Sequence, residues 1–147
     1  MKDTEKYTTN LLGDRVSVQS LIRDLKSPDN FVRWAAAWGL QGTKDKSVVE
    51  HLVKALNDID PDVRVAAATV LGWMRDEKAV EPLIKRLKDN VDEVRFAAIK
   101  ALGEIGDEKA APPLTLLFEN EDLYDVDATT FIAALKSLAS IYVKTYS

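Results

Sequence analysis

Apolar and polar positions along this chain follow a helical period, and the apolar stripes come in pairs. Val49, Leu52, Val53 and Leu56 stand at i, i+3, i+4 and i+7, the spacing of one helix face. Asp60-Pro61 then supplies an N-cap carboxylate and a proline at the first helical position, where no backbone N–H is needed. A second stripe follows at Val63, Ala67, Val70 and Met74, flanked by Ala66 and Leu71. Its small residues let the second helix lie close to the first. Residues 49–79 thus predict a helical hairpin, and Asp76 and Glu77 after it suit the positive N-terminal end of the next helix.

The hairpin recurs. Adding 31 to Val63, Arg64, Ala66, Ala67, Leu71 and Asp76 gives Val94, Arg95, Ala97, Ala98, Leu102 and Asp107; subtracting 31 gives Val32, Arg33, Ala35, Ala36, Leu40 and Asp45. A period of about 20–50 residues marks a stacked array rather than a closed globule. The preceding unit uses Val18, Leu21, Ile22 and Leu25, a Ser27-Pro28-Asp29 turn, and a second helix from Phe31 to about Gln41. The following unit uses Val80, Leu83, Ile84 and Leu87, then Val94, Ala98, Ala101 and Ile105, with Val91-Asp92 in place of Asp-Pro. Upstream, Tyr7 to Leu12 followed by Gly13-Asp14 reads as the end of a second helix without its partner. Downstream, the register is expected to slip by a residue or two across Asn120 to Asp127. A final helix, roughly Ala128 to Lys144, then carries Phe131, Leu135, Leu138 and Tyr142 on one face. The expected organisation is one all-α domain over 1–147: a half-repeat cap (1–17), repeats at 18–48, 49–79 and 80–110, and a degenerate capping repeat (111–147).

The pattern D-x-x-V-R-x-A-A-x-x-x-L-G at Asp60 to Gly72, less complete at Asp29 to Gln41, resembles HEAT-like repeats of the phycobilisome-lyase type, as does Gly106-Asp107-Glu108-Lys109-Ala110. The resemblance covers about residues 18 to 111 strongly. It implies a right-handed α-solenoid whose second helices line the concave face and whose first helices line the convex one. It also implies a structural ladder joining Arg33, Arg64 and Arg95 to aspartates of neighbouring repeats, with Asp45, Asp76 and Asp107 as candidates. The alternative for these arginines is a row of guanidiniums reading phosphate or carboxylate. Such repeats serve scaffolds, adaptors and bilin-lyase subunits alike.

Function is expected where the repeats differ. On a helical projection, the side of the second helix opposite its core stripe holds Trp34, Trp38 and Gln41 in one repeat. It holds Val65, Thr69 and Gly72, with Trp73 at the edge, in the next, and Phe96, Lys100 and Gly103, with Glu104 at the edge, in the third. All three tryptophans fall on this face or its border. If fully open, they and Phe96 would expose several hundred Å², at roughly 150–250 Å² each. That approaches the roughly 300–600 Å² of the largest patch on a typical monomer. Partial packing between repeats with a remaining groove for a protein or peptide is the expectation. Lys54, Lys85, Arg86 and Lys88, interspersed with Glu50, Glu81 and Asp89, read as a solvated convex face.

Composition narrows the chemistry. The absence of cysteine removes disulfides, thiolate metal sites and cysteine nucleophiles. His51 is the only histidine, with Ser20 and Pro82 one repeat away, so it reads as a surface residue rather than a metal ligand. Iron-holding HEAT enzymes of the deoxyhypusine hydroxylase kind need repeated His-Glu pairs, which one histidine cannot supply. No Walker-type loop is present, and no motif supports Ser-His-Asp catalysis. A net charge of −4 and an acidic pI argue against nucleic acid as a partner. The N-terminal stretch lacks a signal-type apolar core, and no run reaches the roughly 18 apolar residues of a membrane span. The expectation is a cytoplasmic, non-catalytic, cofactor-free module, monomer rather than homodimer, binding a protein or peptide; an accessory or chaperone-like subunit of a bilin or cofactor lyase is the alternative.

Overall fold

The computed structural model describes residues 6–10, 12–119 and 127–147. Three helical hairpins stack in sequence: α1 (Val18–Asp24) with α2 (Asn30–Gly39), α3 (Val48–Ala55) with α4 (Pro61–Met74), and α5 (Val80–Arg86) with α6 (Asp92–Ile105). A fourth pair, α7 (Ala111–Glu119) and α8 (Ala128–Tyr146), closes the array. The second helices pack in direct succession, α2 on α4, α4 on α6 and α6 on α8, while the first helices meet the next hairpin mainly through the 3-10 turns at Glu77–Ala79 and Glu108–Ala110. This is an all-α solenoid.

The apolar stripes form one continuous core. Val49, Leu52 and Leu56 from α3, Val63, Ala67 and Val70 from α4, and Val94, Ala98, Ala101 and Ile105 from α6 are all buried. Asp29 and Asp60 cap α2 and α4 by accepting the N–H groups of Phe31 and Asp62, both at 2.8 Å. Asp60 also accepts from the side-chain amide of Asn30, one repeat back, and these two bonds, that to Asn30 foremost, hold its carboxyl below the ordinary range. The equivalent residue at α6 is Val91, which gives no side-chain cap.

Close approach of the second helices depends on glycine. A Cβ on Gly72 would lie 2.7 Å from the Ala101 Cα, and one on Gly103 would lie 2.7 Å from the Ser137 Cβ. Projection from the sequence puts both glycines on the open face; instead they lie where the next helix lands, because only there is the missing side chain needed. Gly72 and Gly103 are one repeat apart, yet their neighbours Ala101 and Ser137 are 36 residues apart. The slip across 120–127, which lies outside the described residues except for Asp127, is therefore five residues rather than one or two.

Two further expectations are corrected. Tyr7–Thr9 is not a helix end but a strand, β1, paired antiparallel with β2 (Arg15–Ser17). The Asn10 side chain accepts the N–H groups of Leu12 and Asp14, and Gly13 takes φ +89, so local turn chemistry folds the segment back. On α8, Ala133, Ala134, Ser137 and Ile141 are buried, whereas Phe131, Leu135 and Tyr142 are exposed and Leu138 is half-buried. The hydroxyls of Ser137 and Ser140 bond the carbonyls of Ile99 and Gly103, and Lys144 bonds that of Ile105, so the small and polar side of α8 faces α6.

Candidate functional site

The second helices border two adjoining hollows. One, about 560 Å³, is bordered by Val65, Thr69 and Trp73 of α4, Phe96 and Lys100 of α6, and Asp127 and Thr130 at the start of α8. The other, about 980 Å³, shares Phe96, Lys100 and Glu104 and runs along α8 past Ile132, Lys136 and Val143. Five of the residues expected on the concave face, Val65, Thr69, Trp73, Phe96 and Lys100, thus line one hollow. Trp73 is 47% exposed at its edge, and the Lys100 ammonium lies 5.7 Å from the centre of the Phe96 ring.

The other three stand apart. Trp38 is half-buried, and its ring lies 5.8 Å from that of Trp73, tilted by 49°. Trp34 is half-buried and stacked at 5.5 Å on Phe31. Gln41 is exposed, but in the 3-10 turn Leu40–Gly42 that ends α2 early, not on a helix. Phe31 itself, 67% exposed, was missed by the reading of the sequence. The signal was available, since Phe31 is one period from Asp62, which projects onto the same face.

Asp92, Glu93, Glu104 and Asp127 border the smaller hollow, opposed by Lys100, while the larger one meets Arg75, Lys136 and Lys144. The Asp127 carboxyl caps α8, accepting from the Thr130 hydroxyl at 2.7 Å and its N–H at 3.0 Å. Those bonds, the hydroxyl first, hold it below the ordinary carboxylate range, so it is ionised at neutral pH. The floor is apolar and aromatic, and the rim runs from acidic to basic.

The arginines do not face this groove. Arg33 clasps Asp58 with two bonds, of 2.8 and 3.0 Å, and Arg64 clasps Asp89 at 3.1 and 3.0 Å. The Asp58 bond, ahead of the other contributions, raises the Arg33 pKa above its ordinary value. Each arginine also donates to the carbonyl six residues before it: Ser27, Asp58 and Asp89. Asp58 and Asp89 are one period apart, so Arg33 and Arg64 each reach into the turn of the following repeat. At Arg95 the corresponding residue is Asn120, outside the described residues, and Arg95 pairs with Asp92 of its own helix.

Asp45, Asp76 and Asp107 are not the partners. They accept the N–H groups of Ser47, Lys78 and Lys109 at the far joint of each hairpin. Arg64 lies in the first turn of α4 and Asp76 beyond the helix end at Met74, which is ten residues or about 15 Å away at 1.5 Å per residue; Asp45 and Asp107 stand at the matching joints of the neighbouring repeats. Asp89, read as part of the solvated convex face, is buried, and Arg86 reaches it at 3.4 Å. His51 is half-buried rather than at the open surface. Among the described residues no three His, Cys, Asp or Glu side chains gather as a metal site would require, and no helix is long and apolar enough to cross a membrane.

Stacked hairpins, a glycine-spaced inner row and an arginine–aspartate ladder define a helical-repeat protein with a concave groove. The HEAT-repeat family model matches residues 49–136 and the PBS lyase HEAT-like repeat matches residues 32–58, so the chain belongs to the HEAT-repeat family. One chain of the complex of CpcE and CpcF of phycocyanin lyase from Nostoc sp. PCC7120 is similar at TM-score 0.80 and 30% identity, over 90% of this chain and 56% of that one. Human deoxyhypusine hydroxylase (TM-score 0.72, 21% identity, 86% of this chain and 44% of that) and an engineered protein (0.65, 23%, 86% and 62%) share the fold. The chain thus spans between 44 and 62% of the length of these three. No curated protein sequence matches it.

Proposed function

We propose that the protein is a non-catalytic interaction module that takes a helix or extended peptide into its concave groove. The observation that carries this reading is the half-exposed Trp73, backed by Trp38 and opening onto a hollow whose rim is acidic on one side. A half-exposed indole packed against a second one presents a large apolar area, and a side chain already packed before binding has less freedom to lose, as at binding hot spots. The guest is a segment with apolar anchors at helical spacing and Lys or Arg beside them, to meet Asp92, Glu93, Glu104 and Asp127. Panning a displayed peptide library on the protein tests this. Enriched peptides should carry that pattern and bind the Trp73→Ser variant about 30-fold more weakly, the equivalent of about 2 kcal/mol. Peptides indifferent to Trp73→Ser and to Lys100→Glu would refute it.

A second reading follows from the similarity to the phycocyanin-lyase complex: an accessory subunit of a lyase of that kind. The larger hollow supports it, because Arg75, Lys100 and Lys136 beside an apolar wall suit a flat molecule bearing carboxylates. Titrating bilin into the protein should then change the pigment's absorbance spectrum. An unchanged spectrum at saturating protein removes this reading and leaves the first untouched.

A further inference from the structure

The helix α8 carries a polar strip and, beside it, an exposed apolar one. Its inner side packs on α6 and α7, and its polar strip of Thr129, Lys136 and Ser140 borders the groove. The remaining side is apolar: Leu135, Tyr142 and Tyr146 are 48, 53 and 80% exposed, and Phe131, edge-on to Phe118 of α7 at 4.9 Å, keeps 37%. An exposed apolar stripe running the length of a helix is the kind of surface that a partner covers. The repeat register says what kind of face this is. Allowing for the five extra residues, Leu135 is the equivalent of Ala68 and Ile99, which are 0 and 1% exposed within the stack. Ala139 is the equivalent of Gly72 and Gly103, the positions on which the next second helix lands. The outer side of α8 therefore continues the helix-stacking interface of the array.

We infer that this face pairs with the same face of a second copy of the chain, α8 against α8 across a two-fold axis. The spacing is self-complementary. Phe131 and Tyr146, and likewise Leu135 and Tyr142, lie symmetrically about the Leu138–Ala139 bond, so an antiparallel pair sets each against the other of its couple. Small Ala139 near the crossing point lets the axes approach, as Gly72 and Gly103 do within the chain. Head-to-tail stacking is disfavoured, because the other end of the array carries the β1–β2 hairpin with Asp14 and Arg15 exposed. The four side chains expose about 400 Å² per copy, taking roughly 170–200 Å² for each when open. A symmetric pair buries about 800 Å² from them, and at an apolar share of about 65% the whole interface reaches about 1,200 Å², the lower bound of a stable one.

Sedimentation equilibrium over about 1–100 µM should give twice the 16.4 kDa chain mass for the wild type, dissociating on dilution. The Leu135→Arg, Tyr142→Arg double variant should sediment at the chain mass with unchanged helical circular dichroism, since both side chains are half-exposed in the single chain. The chain has no cysteine, so Ala139→Cys reports position: oxidation should cross-link it into a covalent dimer, and Lys54→Cys on the convex side should not. A wild type that stays at the chain mass at the highest concentration overturns the inference. So does a dimer that survives the double variant or that Ala139→Cys fails to cross-link.

Discussion

Arg64→Ala should be among the most damaging single polar changes in the molecule. The guanidinium side chain is 10% exposed and its partner Asp89 only 2%. Removal strips from Asp89 its two bonds of 3.1 and 3.0 Å, leaving the Val91 N–H at 3.0 Å and the longer Arg86 contact at 3.4 Å. It also leaves the Asp58 carbonyl without its 2.8 Å donor. Breaking a buried pair by deleting one partner costs about 3–5 kcal/mol, because the remaining charge stays buried. At roughly 2–4 °C per kcal/mol for a domain of this size, the melting temperature should fall by about 6–20 °C. Arg95→Ala supplies the internal control. Its partner Asp92 is 71% exposed, so that pair is worth about 0–1 kcal/mol, and loss of the bond to the Asp89 carbonyl adds about 1. Thermal unfolding followed by circular dichroism separates the two. An Arg64→Ala variant melting within a degree of wild type, or an Arg95→Ala variant melting as low as Arg64→Ala, would refute the ladder as a stabilising device.

The inner glycines give a second test: Gly103→Ala should lower stability by about 1–3 kcal/mol in urea titration, because overpacking against the Ser137 backbone outweighs the roughly 1 kcal/mol gain in helix propensity. Arg75 occupies the left-handed region at φ 52, where the next repeat has Gly106 at φ 71; Arg75→Gly should raise stability by about 1 kcal/mol, read as a higher urea midpoint at unchanged slope. Asp60 has a folded pKa below its unfolded value, so its contribution is full above the unfolded value of about 4 and is lost as pH falls through the folded one. Asp60→Ala should accordingly weaken the protein at pH 7 and narrow its gap to wild type toward pH 2, as followed by urea midpoints across that range. Acrylamide should quench chiefly the emission of Trp73, and Trp73→Phe should remove most of the quenchable signal; equal quenching before and after the change would place the open indole elsewhere.

What the sequence made legible was whatever it says three times. Val63 and Val94, or Ala67 and Ala98, announce the core because each recurs at one step and with one helical phase, and the structure buries all four. The arginine row was equally visible, but its partners were sought at the wrong joint. Asp45, Asp76 and Asp107 repeat perfectly; Asp58 and Asp89 repeat only once, with Ser27 before them and Asn120 after. The period alone ranks the first set higher, whereas helix length decides for the second, since an arginine in the first turn of a long helix cannot reach a carboxylate beyond its end.

Features stated once were the ones misread. The β1–β2 hairpin rests on Asn10 and Gly13, a local turn signal that the surrounding helical period overrode. The same holds for the groove. Its aromatic floor was found because Trp73 and Phe96 sit at positions the repeats define, but its acidic rim combines Asp92 and Glu93 at the start of α6 with Asp127, beyond a five-residue slip that no periodicity could count. Repetition therefore encodes the scaffold, and departures from it encode the groove. That division bears on the tryptophans. Trp34 and Trp38 lie in the repeat whose motif is least complete, where Gln41 replaces the glycine of the later two. Both are half-buried, Trp34 stacked on Phe31 and Trp38 against Trp73, so the least regular repeat supplies the aromatic neighbour of the one indole that opens onto the groove.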